Sequence, residues 1–336
     1  MTGPSAVAVI GAGSFGTCLA VHAARIGLDA TLWARDPEVV RHIRRYREHP
    51  RRLRGVNIPD GVHATHDLDE ALSVGQIIHA IPVQQTRAFW QEHRDRLPSG
   101  ATILLAAKGL ERDTGLRLDE VFAEVFGEDW VTANLAALSG PTFAAEVAAG
   151  VPSVALIAAF NEALAEAYQI LLAGPTFRLY RSTDLIGVEV AGAFKNVIAI
   201  AAGVSDGLGL GLNSRAAIIA RGLAEMTRFG VAQGAERDTF SGLAGVGDLV
   251  LTATGELSRN RTVGYRLGQG DTLEDILAEM SEVAEGVPTT ASVVERARQL
   301  GVEIPIAEQI WSVLANGNDP RQAVHTLMTR SLKREY

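Results

Sequence analysis

Several short stretches of this chain combine residue types that do chemistry. Gly11-Ala-Gly-Ser-Phe-Gly16 directly follows the apolar run VAVI and opens the helical pattern Thr17 to Gly27. Glycines at this spacing allow a tight turn, approach of the backbone to a pyrophosphate and close helix packing, and the helix start adds N–H groups and a positive dipole end. Gly11, Gly13 and Gly16, with Ser14 and Phe15 between them, are therefore candidate dinucleotide contacts. The next strand-like run ends Leu32-Trp33-Ala34-Arg35, with Asp36 one step later. An acidic residue there binds the ribose of NAD, whereas an arginine accepts the 2′-phosphate of NADP. Asp36-Pro37-Glu38 already fits a helix N-cap with proline at the first position. Arg35 therefore tilts the expectation towards NADP, while an arginine stacked on adenine leaves NAD acceptable.

A second group surrounds a lysine. Gly187-Val-Glu-Val-Ala-Gly-Ala-Phe-Lys-Asn-Val-Ile-Ala-Ile200 reads as the interior of a buried helix, yet holds Lys195 at its middle. A buried ammonium is costly without a partner. On a helix its neighbours are Ala191, Gly192, Ala199 and Ala202, a hollow face that leaves room for another molecule, and Asn196 adds a neutral donor and acceptor. Gly242-Leu-Ala-Gly-Val-Gly-Asp-Leu-Val-Leu-Thr252 sets Asp248 and Thr252 one helical turn apart, so the carboxylate can hold the lysine charged and oriented. Ser258-Arg-Asn-Arg261 supplies a hydroxyl, guanidinium forks and an amide suited to a phosphate; alone, the same four residues read as a solvated turn, and Asp248 as a helix cap. Lys108-Gly109 follows the run ATILLAA, and Ser139-Gly-Pro-Thr142 ends another strand-like run, so both belong at the carboxyl edge of a parallel sheet, where ligands of such sheets bind. The eight histidines are scattered, and neither HExxH nor a cysteine ligand set occurs, so no metal is expected.

Positioning these groups requires two kinds of architecture. Up to about Ser182 the runs AVAVI, DATLWA, QIIHAI, ATILLAA, SVALIAA and TFRLYRS alternate with helical or turn-rich sequence, the signature of βαβ units and a largely parallel sheet. Beyond Asp184 alanine, leucine and glycine dominate, and helices are expected at 184–202, 213–229, 273–280, 291–300 and 307–315. The expectation is an α/β chain, with an N-terminal Rossmann-type doubly wound sheet over residues 1–183 and a C-terminal all-helical domain over 184–336, Ser182-Thr183-Asp184 capping the first helix of the second part. The net charge of −8 argues against a general attraction to nucleic acid or anionic membranes. The seven arginines between Arg41 and Arg54 read mostly as a solvated helix face and loop. The single cysteine, Cys18, agrees with a reducing cytoplasm, and neither a signal sequence nor an uncharged run of ~18 apolar residues is present.

Taken in order, GAGSFGT, AAKGL at 106–110, SGPTFAAEVAAG at 139–150, AGAFKNVIAIAAGVSDGL at 191–208, GLAGVGDLVLT at 242–252, SRNR at 258–261 and EVAEGVPT at 282–289 resemble the bacterial glycerol-3-phosphate dehydrogenase [NAD(P)+] family. The resemblance implies reversible reduction of dihydroxyacetone phosphate to sn-glycerol 3-phosphate with NADP or NAD as cofactor, feeding phospholipid synthesis in the cytoplasm. It implies that Ser14, Phe15, Arg35, Ala144, Val283 and Glu285 contact the cofactor, that Lys108 and Arg259 touch both ligands, and that Gly140, Thr142, Asn196, Asp248, Thr252, Ser258 and Asn260 hold the substrate. Lys195 then corresponds to the proton donor and acceptor. Thr142 stands where many members have serine, Ala284 where valine is commoner, and Val83 where serine is frequent. The partner expected is a small molecule, without nucleic acid or membrane insertion, and a homodimer is allowed. A hydroxy-acid dehydrogenase of the same two-domain plan, or a non-catalytic NAD(P)H sensor, are the alternatives. The phosphate-suited SRNR and Lys108 weigh against the first, the lysine–carboxylate pair against the second.

Overall fold

The computed structural model describes residues 6–280, 283–332 and 334; Ser5 and Glu282, the latter opening the EVAEGVPT motif, lie outside them. The chain divides into two compact units, the first made of Met1–Lys108 and Arg117–Glu189, the second of Gly109–Leu116 and Val190–Tyr336. The division falls inside the long helix that begins at Leu185. It also assigns the excursion 109–116 to the second unit, where the Ser292 hydroxyl donates to the Glu111 carbonyl at 3.0 Å.

The first unit is built on one sheet of strands β1 (Ala6–Ile10), β2 (Asp29–Trp33), β3 (Val62–Thr65), β4 (Gln76–His79), β5 (Thr102–Leu105), β6 (Leu135–Ser139), β7 (Ser153–Ala159) and β8 (Phe177–Ser182), in the order β3-β2-β1-β4-β5-β6-β7-β8. All neighbours are parallel except β6 and β7. The helices are α1 (Ser14–Arg25), α2 (Pro37–Tyr46), α3 (Leu68–Leu72), α4 (Val83–His93), α5 (Leu118–Phe126), α6 (Glu128–Asn134), α7 (Ala144–Ala149) and α8 (Glu162–Leu172). Strands covered on both faces must be apolar throughout, which is why β1 reads AVAVI and Val7 to Ile10 are fully buried. The strand order reverses direction between β1, which pairs with β2, and β4 on its other side. Such a reversal opens a crevice at the carboxyl ends of the strands, and the glycine loop leaves β1 at that point.

Among the described residues the second unit is helical: α9 (Leu185–Gly207), α10 (Gly211–Val231), α11 (Asp248–Thr254), α12 (Arg259–Gln269), α13 (Leu273–Glu279), α14 (Gly286–Leu300), α15 (Pro305–Asn316) and α16 (Pro320–Met328). As expected from Ser182-Thr183-Asp184, the Asp184 carboxylate accepts the Gly187 N–H at 2.8 Å and starts α9. α9 is long and apolar enough to cross a bilayer, but 89% of its most apolar window is buried inside the protein, as in a core helix. The alternation of strands and helices followed by helices alone agrees with the α/β-plus-helical architecture expected from the sequence.

Candidate active site

The three glycines of the loop do three different things. Gly11 has φ +117°, and a Cβ there would lie 2.7 Å from the Ala80 carbonyl oxygen, so only glycine makes this turn. A Cβ on Gly16 would lie 2.0 Å from the Gly11 carbonyl oxygen, so α1 can close onto the loop only if that side chain is missing. Gly13 is the N-cap of α1, and a Cβ there would meet nothing within 4 Å. The first turn of α1 thus receives no capping side chain from Gly13 and presents its N–H groups on an open side, which fits a pyrophosphate.

Asp36 is occupied twice. One carboxylate oxygen accepts the Glu38 N–H at 2.9 Å, capping α2, and the other accepts from Arg51 at 2.7 Å. A ribose would have to compete with both, whereas Arg35 beside it is exposed. The other arginines of the 41–54 segment mostly serve this unit: Arg44 donates to the Ala64 carbonyl, Arg47 to those of Ile58 and Val62, and Arg41 pairs with Glu38.

At the carboxyl edge of the same sheet, Lys108 follows β5 and Gly140 follows β6. The Lys108 ammonium donates to the Gly140 carbonyl at 3.4 Å, and the Thr142 hydroxyl donates to that oxygen at 3.2 Å. Gly140 has φ +136°, and a Cβ there would lie 2.9 Å from the Ala155 backbone. Ala144 begins α7 just beyond, so Lys108, Gly140, Thr142 and Ala144 share one edge. The Ser139 hydroxyl is buried there without a hydrogen-bond partner.

In the second unit the lysine has the partners its burial demands. The Lys195 Nζ donates to Asp248 Oδ1 at 2.5 Å and to Thr252 Oγ1 at 3.0 Å, and the Thr252 hydroxyl donates to Asp248 at 3.2 Å. Lys195 is 7% and Asp248 1% exposed, so the pair attracts in a low-dielectric setting. Asp248 reaches it because Leu243–Gly247 forms a π-helical turn directly before α11. A Cβ on Gly245 would lie 2.0 Å from the Phe240 carbonyl oxygen, so Gly245 is what permits this wide turn.

Next to this triad a chain of amides fixes Asn196 and Asn260. The Asn196 amide donates to the Gly192 carbonyl at 3.3 Å, the Asn260 amide donates to Asn196 Oδ1 at 2.9 Å, and Asn260 Oδ1 accepts the Gly286 N–H at 2.9 Å. Ser258 is the N-cap of α12, accepting the Arg261 N–H at 3.2 Å, and Arg259, the first helical residue, is exposed. The SRNR stretch is thus a capped helix start rather than a loose turn. The Glu285 carboxyl is pushed up to about 6 by burial, against the lowering effect of Arg259, and its Oε2 is buried without a hydrogen-bond partner. Val283 is exposed. Residue reasoning missed the Gly286 N–H and the π turn; the only trace of either in the sequence is the glycines themselves. Among the described residues no cluster of His, Cys, Asp and Glu is arranged to hold a metal.

A glycine loop at the switch point of a parallel sheet, followed in the chain by a helical unit with a buried lysine–carboxylate pair, defines a two-domain dinucleotide-dependent dehydrogenase. Residues 6–165 match the family model of the NAD-dependent glycerol-3-phosphate dehydrogenase N-terminus, and residues 184–325 that of its C-terminus. The glycerol-3-phosphate dehydrogenase [NAD(P)+] of Geobacter sp. (strain M21) is 50% identical over 330 residues, covering 98% of each chain, and that of Rhodospirillum rubrum is 48% identical over 98% of this chain and 93% of its own. The crystal structure of glycerol-3-phosphate dehydrogenase from Coxiella burnetii superposes with a TM-score of 0.92 at 36% identity, over 97% of this chain and 99% of that one. The chain belongs to the NAD-dependent glycerol-3-phosphate dehydrogenase family. The resemblance drawn from the ordered motifs, with the NAD(P)-dependent dehydrogenase class it implied, is borne out.

Proposed function

We propose that this chain reversibly reduces dihydroxyacetone phosphate to sn-glycerol 3-phosphate with NADPH or NADH, and that it supplies glycerol 3-phosphate for phospholipid synthesis in the cytoplasm. The observation that carries the reading is the buried Lys195–Asp248–Thr252 triad beside the Asn196–Asn260 amides and the start of α12. Residues 1–183 are assigned to the dinucleotide and 184–336 to the substrate. The dinucleotide, when bound, supplies the hydride. Gly11, Gly13, Ser14, Phe15 and Gly16 hold its pyrophosphate, Arg35 its adenosine end, and Lys108, Ala144, Arg259, Val283 and Glu285 complete its contacts.

On the substrate side, Arg259, with Ser258 and Asn260, grips the phosphate, and Lys108, Gly140, Thr142 and Asn196 fix the rest of the molecule. Binding energy from the phosphate then sets the geometry of the carbonyl. As negative charge grows on the carbonyl oxygen, the Lys195 ammonium stabilises it and donates a proton, and in reverse the neutral amine removes it. Asp248 and Thr252 keep Nζ oriented through both states. The partner this requires is a small molecule; a homodimer is compatible with it.

The test is loss of NADPH and NADH absorbance with dihydroxyacetone phosphate as acceptor, with short keto acids in parallel. Turnover of dihydroxyacetone phosphate but not keto acids supports the reading. Preference for keto acids would make it a hydroxy-acid dehydrogenase, and no turnover with either would make it a binding protein.

A further inference from the structure

Of the two arginines in Ser258-Arg-Asn-Arg261, the second is committed to another helix. Positions 259 and 261 lie about 200° apart around a helix, and Arg261 is turned to Asp206 near the end of α9. Its Nε and Nη2 donate to Asp206 Oδ2 at 3.0 and 2.7 Å, and Arg215 Nη1 from the start of α10 reaches the same oxygen at 3.0 Å. One carboxylate therefore ties the end of α9 to the starts of α10 and α12. The pairing is reinforced by backbone contact. A Cβ on Gly203 would lie 2.1 Å from the Arg261 carbonyl oxygen, on Gly207 2.1 Å from that of Tyr265, on Gly264 2.0 Å from that of Ile200, and on Gly268 2.5 Å from that of Val204. The two helices meet main chain to main chain over two turns, and α9 is the helix that carries Lys195.

We propose that Asp206 is a positioning residue for substrate recognition: by holding Arg261 against α9 it sets the first turn of α12, so that Arg259 is presented at a fixed place relative to Lys195 and a single guanidinium faces the phosphate. The proposal rests on Arg259 being the phosphate-binding residue. Without the Asp206 charge, Arg261 and Arg215 face each other as like charges and the first turn of α12 loses its tether.

The experiment compares wild-type protein, Asp206→Asn, Arg261→Ala and the double variant in steady-state kinetics with dihydroxyacetone phosphate. It adds calorimetric titration with inorganic phosphate, which reads the anion site whether or not a ketone is reduced. Each single variant should raise KM by about tenfold with kcat within about twofold, because uniform binding is lost while the lysine triad is untouched. The phosphate dissociation constant should rise in step, and the double variant should be no worse than either single one, since the pair acts as a unit. Asp206→Glu, keeping the carboxylate, should recover most of the loss; if Asp206→Asn does not fold, Asp206→Glu and Arg261→Ala are read by the same criteria. A variant with a lowered melting temperature but unchanged KM and phosphate affinity would overturn the proposal, as would additive effects in the double variant. Wild-type protein that binds phosphate but turns over no dihydroxyacetone phosphate would sink the functional reading while leaving the positioning role to be decided by the titration.

Discussion

Lys195 carries a charge into a nearly closed site, and its partner Asp248 is more buried still. Replacing only one of them is therefore not a clean test of chemistry. Lys195→Met strands the Asp248 carboxylate and should cost about 3–5 kcal/mol of stability. The double variant Lys195→Met with Asp248→Asn should melt close to the wild-type temperature. Both should lose at least about a thousandfold in kcat, since the proton donor and the charge beside the developing alkoxide are both gone. A folded double variant with more than a tenth of wild-type activity would demote the lysine to a tolerated core charge. Arg35 belongs to the same scale. With Asp36 held by Glu38 and Arg51, Arg35→Ala should weaken NADPH by about 1.5–3 kcal/mol and NADH much less; equal losses in KM for the two cofactors would show stacking on adenine instead. Lys195 and Asp248 were legible because a charge in an apolar helix demands a partner. The orientation of Asn260 was not, because it is set by a backbone N–H at Gly286, distant in sequence, and no side-chain type announces it.

At the scale of elements, the long apolar helix α9 and the strands AVAVI and SVALIAA could be read from composition, since burial on all sides leaves an unbroken apolar run. Short β3, with the sequence VHAT, carries too few residues to show a period. The π turn before α11 is likewise invisible, because its signal is space for glycine against Phe240 rather than any pattern of polarity. One element junction is sensitive to pH. Glu225 on α10 accepts the N–H groups of Ile306 and Ala307 at 2.8 and 3.2 Å, closing the start of α15, and burial pushes its carboxyl up to about 7. A carboxyl whose folded value lies above its unfolded value of 4.5 binds its proton more tightly in the native state, so stability falls as pH rises from 4.5 through about 7. The wild-type melting temperature should decline between pH 5 and about 8, and Glu225→Gln should flatten that slope, though it sacrifices one of the two backbone bonds. An unchanged slope in the variant would place the titration elsewhere.

At the scale of the whole molecule, the arrangement of strands followed by helices was visible in the change of texture near Asp184, but the assignment of residues 109–116 was not. That segment lies among βαβ sequence and packs with residues far beyond it. A fragment covering 184–336 alone should therefore melt at a lower temperature and less cooperatively than one carrying 109–116 joined through a flexible linker, as followed by circular dichroism. Identical melting of the two fragments would make the excursion dispensable. The same feature has a meaning in time as well as in space. Glu111 leaves the ribosome 181 residues before the Ser292 hydroxyl that it will accept, a delay of roughly 10–35 s at typical rates of synthesis. The nascent sheet must close with this stretch of chain still waiting for helices that have not been translated, so the second unit cannot be completed until Ser292 has been made.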